Sequence, residues 1–464
     1  MSDAAIVTST NRSNVWLIVM TLAVFVGLST YFNLATDAFL EADGVTHYLY
    51  ARFAFDIPAY FTDVWARPVR VLLHAIPATY TGVHGVRAMS MVLAVACAWF
   101  AFLSARQLKL PRPELAFVFL LAQPATFFHS FQELTELPFA LVVAVAFYAM
   151  TRKWWWLVAV MVAISPAARP EGFALLVLTA LCLAAYRRWL ELLILPTGLI
   201  VWSVAGSVLN PGSPWYRWLW DSFPYSAKSA YAAGSLFQFV ALLPAVVGPV
   251  LLPMALLGAV KLLRLETGWN HRRVCLWVAV GLPACVLAGH SVLFWLGRMS
   301  SSGDIRYLVS FAPLWAMWPA MGWMMIRGTK WGANWDRGLI ALACLLPLLA
   351  NVWWRVIPTE LQNDARGARD LAAWVKALPA SEQPNNLMTT HPAVLFFFDR
   401  SIGDVRAQTI KDASPGTWMI WEPIMSSANA NPQRVIGIEL MTDWRELEVP
   451  VASAKAQYRV FVKQ

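Results

Sequence analysis

Apolar residues dominate the chain in runs of roughly fifteen to twenty-five positions, separated by short polar or basic intervals. Such runs predict membrane-spanning helices, because a helix needs about twenty apolar residues to cross the hydrocarbon layer. We expect about eleven spans, near 15–35, 86–105, 115–129, 136–151, 154–168, 172–186, 190–208, 236–260, 274–296, 306–326 and 338–357. Two intervals are long. The first, about 36–85, holds "FDIPAYFTDVWARPVRVLLHAIPATY", whose mixed apolar and basic spacing predicts one or two helices lying at the membrane surface. The second, "NPGSPWYRWLWDSFPYSAKSAYAAG" at about 210–234, is dense in Trp and Tyr. It fits an interfacial aromatic belt or a wall facing sugar or lipid. After Ile357 the periodicity changes. "DLAAWVKALPA" reads as an amphipathic helix, and "NLMTTHPAVLFFF", "RVIGIEL" and "YRVFVKQ" read as strands. The expected organisation is a membrane domain over 1–357 and a small α/β domain over 358–464.

Charge orients these elements. With the N-terminus in the cytoplasm, one set of connections carries Arg106, Lys109, Arg112, Arg152, Lys153, Arg187, Arg188, Lys261, Arg264, Arg272, Arg273, Arg327, Lys330 and Arg337. The opposite set carries most of the acids, among them Glu41, Asp43, Glu133, Glu136, Glu171 and Asp304. One assignment satisfies the positive-inside rule at every loop and places 358–464 outside the cytoplasm. Composition agrees. The 464 residues are 59% hydrophobic and 14% charged, against about 25% charged in soluble proteins. The fold class expected is an all-α polytopic membrane protein with a small extracytoplasmic α/β domain. The net charge of +9 sits in loop clusters rather than on a basic stripe with stacking aromatics, so nucleic-acid partners are not indicated. The five cysteines all fall in apolar runs without C-x-x-C spacing, so neither a disulfide nor a zinc framework is indicated. The first apolar run has no small-residue cleavage site after it and reads as a retained span. Asn11-Arg12-Ser13 is the one Asn-x-Ser/Thr site and falls on the cytoplasmic side, so nothing indicates passage through an ER glycosylation system, and a bacterial inner membrane is the default expectation.

The chemistry is expected at span ends, because the span interiors contain essentially no charge, with His290 and Gln123 as mild exceptions. A transporter would keep ionisable groups near the midplane. "FLEADGVTHYLYARF" places Glu41, Asp43 and His47 where the first span ends. A carboxylate at an apolar boundary is partly desolvated, which suits general-base work. In "FQELTELPFALV", Ser130-x-x-Glu133 fits a capping box and Glu136 a favourable helix start. In "SPAARPEGF", Arg169 and Glu171 can pair with each other. In "SSSGDIRYLVSFAPLWA", Arg306 either snorkels to the interface or faces a ligand.

"EADGVTHYLYA" resembles the first outer loop of the GT-C fold glycosyltransferases, which use polyprenyl-phosphate sugars: protein O-mannosyltransferases, GPI mannosyltransferases and lipid A aminoarabinose transferases. Glu41-Ala42-Asp43 matches the Glu-x-Asp form of that loop's paired acids. "FQELTELPFALV", "SPAARPEGF" and the Arg-Tyr-Leu before a Pro at 306–313 resemble further segments of the family, in the same order and on one side. The resemblance implies a glycosyltransferase, hexosyl or pentosyl, acting on the extracytoplasmic face with inversion. It implies Asp43 as base, helped by Glu41. Donor phosphate would be held by Arg306, with Arg169, Lys228 and Arg298 in reserve. His47, Tyr48, Glu133, Glu136, Glu171 and Asp304 would serve the acceptor or the framework. Arg67 and Arg70 would approach lipid head groups or anchor the loop. The implied partners are a polyprenyl-phosphate-linked donor, a glycan, lipid or protein acceptor, and membrane lipids. The resemblance implies no certain cofactor and leaves a divalent metal open. Glu41, Asp43 and a phosphate are hard oxygen ligands that suit a divalent metal, whereas the scattered histidines lack ligand spacing. The alternatives are a lipid-linked glycan ligase, a polytopic transporter or flippase, and an assembly factor with an inactive site.

Overall fold

The computed structural model describes residues 3–37, 42–223, 233–299, 302–327, 359–403, 412–423 and 442–464, with isolated positions between them. The elements follow the apolar runs where these are unbroken. Helix α1 spans Asp3–Ala35, with a candidate membrane segment at Val15–Ala35. The short α2, Ala42–Arg52, follows. A 3-10 turn at Pro58–Phe61 leads into the forty-residue α3, Pro68–Gln107. Gly82 (φ 67°, ψ −153°) kinks α3, because that backbone conformation is open to glycine without a Cβ clash. The half before the kink supplies a helix within the long first loop, as expected. It turns Leu72, Ile76 and Tyr80 outward on one stripe and buries Val71, His74, Ala75 and Ala78 on the other.

Helices α4 (Glu114–Leu121) and α5 (Pro124–His129) replace the single span expected over 115–129. Gln123 is extended and Pro124 lacks a backbone donor, so the helix breaks there. Every residue of both pieces is buried, so neither faces lipid. Next come α6 (Glu136–Thr151), α7 (Trp155–Ala168), α8 (Glu171–Ala185), α9 (Trp189–Leu192), α10 (Thr197–Leu209) and α11 (Trp215–Asp221). In α11, Trp218 packs with Val64 and Trp202, while Trp215, Tyr216 and Trp220 stay exposed, as an interfacial belt requires. The run at 236–260 is divided among α12 (Gln238–Ala241), α13 (Leu243–Val247) and α14 (Leu251–Arg264). The long α15 covers His271–Trp295. The run at 306–326 is likewise split into α16 (Arg306–Val309), α17 (Ala312–Trp315) and α18 (Met317–Arg327). Isolated positions aside, the span expected at 338–357 lies outside the described residues.

Among the described residues, four segments are long and apolar enough to cross a membrane: Val15–Ala35, Pro68–Gln107, Trp189–Leu209 and His271–Trp295. Three shorter apolar helices, α6, α7 and α8, accompany them. The main core gathers these helices around the wholly buried α4 and α5. Helices α14 and α18 cross at backbone contact: a Cβ on Gly258 would meet the Trp318 carbonyl at 1.8 Å, and one on Gly322 the Met254 carbonyl at 1.9 Å. Small residues permit such close approach in apolar surroundings, where packing rather than the hydrophobic effect drives association.

The C-terminal part forms a four-stranded sheet of order β1-β2-β4-β3: β1 Asn386–Met388, β2 Thr417–Trp421, β3 Trp444–Leu447 and β4 Arg459–Lys463. Strands β1 and β2 are parallel (Leu387 opposite Trp418), and β4 pairs antiparallel with both β2 and β3. Helix Asn363–Ala377 covers one face through Ala368, Leu371 and Val375. "NLMTTHPAVLFFF" is only in part the expected strand: after Met388 a Pro-led helix, Pro392–Phe397, takes over. "RVIGIEL" lies outside the described residues. Leu395 and Ile402 leave this domain's own core and join Val45, Tyr48, Leu49 and Tyr60 of the first loop. The domain is thereby seated against α2.

Candidate active site

Helix α2 begins at Ala42, shortly after the first span ends, and carries Asp43 in its first turn. A carboxylate there is favoured by the unpaired backbone N–H groups of the helix start. Glu41 lies outside the described residues. Asp43 is about a third exposed, and its Oδ2 lies 2.9 Å from Arg306 Nη2 in an ion pair. The two residues are far apart in sequence. They meet because the turn into α16 brings the chain back to the first loop. Asp304 helps to make that turn: its Oδ1 accepts the Arg306 backbone N–H at 2.8 Å.

Around this pair lies a cavity of about 500 Å³. Its polar end is lined by Asp43, His47, Trp65, Arg67, Thr135, Glu136, Arg169, Glu171, His290, Arg306 and Tyr307. Its other limb is apolar and runs between α8 (Ala174, Leu175, Leu178) and α15 (Leu282, Cys285, Val286, Gly289, Leu293). Ala174, Leu178, Cys285 and Gly289 are also exposed, so this limb reaches the outer surface of the helices.

Arg169 closes the polar end from the α7–α8 turn. It donates to Thr135 Oγ1 at 2.8 Å, to Glu136, and to Glu171 through Nη2 at 2.9 Å and Nε at 3.1 Å. Burying one guanidinium among two carboxylates is tolerable because each charge is hydrogen-bonded. The expected Arg169–Glu171 pair is present, and Glu136 joins it. His290 lies 3.6 Å from Glu171 and stacks on Tyr307, with ring centroids 4.6 Å apart. Tyr307 also faces the guanidinium carbons of Arg169 and Arg306, at 5.6 and 5.7 Å from its ring centroid. It spaces two like charges by offering both the negative face of its ring.

His47 lines the cavity, with its ring 4.5 Å from Trp65. Burial, and then the guanidinium groups of Arg70, Arg67, Arg306 and Arg169, hold its imidazole well below its ordinary pKa, so the ring is neutral near pH 7.

Other expected residues fall elsewhere. Glu133 does not line the cavity; it pairs with Arg87 in full burial. The capping box expected at Ser130 and Glu133 does not form: Ser130 donates to the Phe127 carbonyl and contacts Ser29, and α6 begins only at Glu136. Tyr48 is buried and meets Phe396 of the C-terminal domain edge to face. Arg298 is exposed and is not among the lining residues. Lys228 lies outside the described residues. Arg67 and Arg70 are buried rather than directed at lipid: Arg67 donates to the Val64 carbonyl at 2.7 Å, and Arg70 to the carbonyls of His47 and Glu133. Thr135, Trp65 and Tyr307 are site residues that no sequence expectation includes. A signal exists for Tyr307, which neighbours Arg306 in the Arg-Tyr-Leu motif. Among the described residues, no group of three or more His, Cys, Asp or Glu is arranged to hold a metal.

The membrane-length helices and the sheet domain seated on the first loop define the class, a polytopic membrane protein, and its fold is like that of the GT-C proteins. Two solved structures of ArnT from Cupriavidus metallidurans carry that likeness. The one bound to undecaprenyl phosphate aligns with a TM-score of 0.67 at 11% identity, covering 96% of this chain and 97% of that one. The apo state aligns with a TM-score of 0.67 at 13% identity, covering 97% and 98%. No family model matches the sequence, and no curated protein matches it.

Proposed function

We propose that the protein transfers a sugar from a polyprenyl-phosphate donor to an acceptor hydroxyl on the extracytoplasmic face of the membrane. The observation that carries this reading is the pairing of Asp43 and Arg306 at the polar end of a cavity whose other limb is apolar and open to the helix surface. A polyprenyl-phosphate sugar has the same division: an anionic head bearing a sugar, and a long hydrocarbon tail. The tail lies between α8 and α15, and the phosphate meets Arg306. Asp43 accepts the proton of the attacking hydroxyl. The acceptor oxygen bonds to the anomeric carbon as the bond from that carbon to the phosphate oxygen breaks. The bonding pair leaves with polyprenyl phosphate, whose added negative charge Arg306 stabilises. Single displacement of this kind inverts the anomeric configuration. The overall likeness to a structure bound to undecaprenyl phosphate supports the choice of lipid class.

The test is transfer of radiolabelled sugar from a panel of undecaprenyl-phosphate sugars by the purified protein in lipid nanodiscs. Asp43→Asn and Arg306→Ala are each expected to lower transfer at least about a hundredfold while the folded yield is kept. Full transfer by both variants would refute the assignment. A second readout is the exposed, cavity-lining Cys285: undecaprenyl phosphate should slow its reaction with a maleimide.

A further inference from the structure

We propose that the site holds its own base in check: Arg306 clasps Asp43 until a donor phosphate takes the carboxylate's place, and that exchange frees Asp43 for the acceptor. The inference rests on the function proposed above and concerns the order in which that site can work.

Among the described residues, three guanidinium groups line the cavity, and they differ in how they are held. Arg169 is committed to Thr135, Glu136 and Glu171, and its carboxylate partners are nearly as buried as it is. Drawing it towards a ligand would strand two buried negative charges. Arg67 is buried and spends Nη1 on a backbone carbonyl. Arg306 is different. Its partner Asp43 keeps 31% of its side chain exposed, so water can solvate the carboxylate once it is released. A phosphodiester oxygen and a carboxylate oxygen ask the same thing of a guanidinium, a short charge-assisted hydrogen bond. Exchanging one for the other keeps Arg306 neutralised both before and after the donor arrives.

The exchange has a chemical consequence. While Asp43 is clasped, its Oδ2 is engaged by the guanidinium and is not offered to an acceptor hydroxyl. The acceptor therefore meets Oδ2 released from its ion pair only when the donor is already seated. Once transfer is complete, polyprenyl phosphate remains on Arg306, and its departure restores the clasp.

Binding of undecaprenyl phosphate, without sugar, tests this through a double-mutant cycle of Asp43→Asn and Arg306→Gln. Asp43→Asn removes the competitor and is expected to tighten binding about fivefold to tenfold, even though it abolishes transfer. Arg306→Gln is expected to weaken binding. In the Arg306→Gln background, Asp43→Asn should change affinity less than about twofold. Equal or weaker binding by Asp43→Asn overturns the proposal. So does equal tightening in both backgrounds, which is what simple relief of charge repulsion would give. Asp43→Ser repeats the first arm should the Asn variant fold poorly. Arg306→Lys replaces the second background should Arg306→Gln bind too little lipid to titrate. If the unmodified protein binds no undecaprenyl phosphate, it is the proposed function that fails, not the exchange.

Discussion

At the scale of single residues, the buried charges divide into framework and site. Arg87 and Glu133 are 2% and 0% exposed, and Arg87 also donates to the Thr36 carbonyl at 2.6 Å. Removing one partner leaves the other charge buried without its hydrogen-bonded counter-ion. Arg87→Gln is expected to cost about 3–5 kcal/mol, read from unfolding in mixed micelles. Sequence could not assign this role. Glu133 sits in a local pattern that fits a helix cap, and its true partner lies 46 residues away. Asp43 and Arg306 stand out as candidates because each lies at the edge of an apolar run and belongs to a short motif; their contact does not, since no local pattern encodes it. His47 adds a pH dependence. Its folded pKa lies below the unfolded value of 6.5, so as pH falls below about 6.5 the unfolded chain takes up a proton that the folded chain refuses. Stability is therefore lost towards acid, by at most about 1.4 kcal/mol per pH unit from this group. Thermal melts at pH 7.5 and 5.5 should show a smaller acid-induced drop for His47→Gln than for the unmodified protein.

At the scale of elements, uninterrupted apolar runs translate directly into helices. The run expected at 136–151 is α6, Glu136–Thr151, and α7, α8 and α15 begin within a few residues of expectation. Runs that contain proline near a later helix start do not. Pro124, Pro244 and Pro313 each open a new short helix inside what hydropathy reads as one span. Hydropathy sums over a window and is blind to a missing backbone donor. In α15, a Cβ on Gly289 would meet nothing within 4 Å, and Gly289 lines the apolar limb. Gly289→Leu should keep the fold, since the helix gains propensity, while its side chain fills space the tail needs. We expect undecaprenyl phosphate affinity to fall at least about tenfold with an unchanged melting temperature. The C-terminal domain holds the first loop: the hydroxyl of Tyr60, in the 3-10 turn and edge to face with Tyr50 of α2, contacts Ser401 and accepts the Gly403 N–H, and Arg52 at the end of α2 lies 3.8 Å from Asp399. Tyr60→Phe should lower kcat several-fold, roughly three to ten, with little change in lipid affinity, because it loosens the turn packed against the helix that carries Asp43 without touching the apolar limb.

At the scale of the whole molecule, the layout was legible and its depth was not. The long first loop, the run of membrane helices and the terminal α/β domain follow from composition shifts that any window detects. That the domain's Leu395 and Ile402 would complete the hydrophobic core of the first loop follows from tertiary packing alone. The C-terminal sheet domain also carries its own acid sensitivity. A hydrogen bond from His391 holds the Asp364 carboxyl below its ordinary pKa, so the stability it contributes is present at neutral pH and is lost only as pH falls below about 3.8.

Under the proposed function, the apolar limb that surfaces between α8 and α15 sets how the protein would count its donor. A donor that arrives sideways through that gap is encountered in two dimensions, so the governing quantity is its mole fraction among neighbouring phospholipids. Turnover should fall when inert lipid is added to each vesicle and stay constant when the vesicle suspension is merely diluted with buffer.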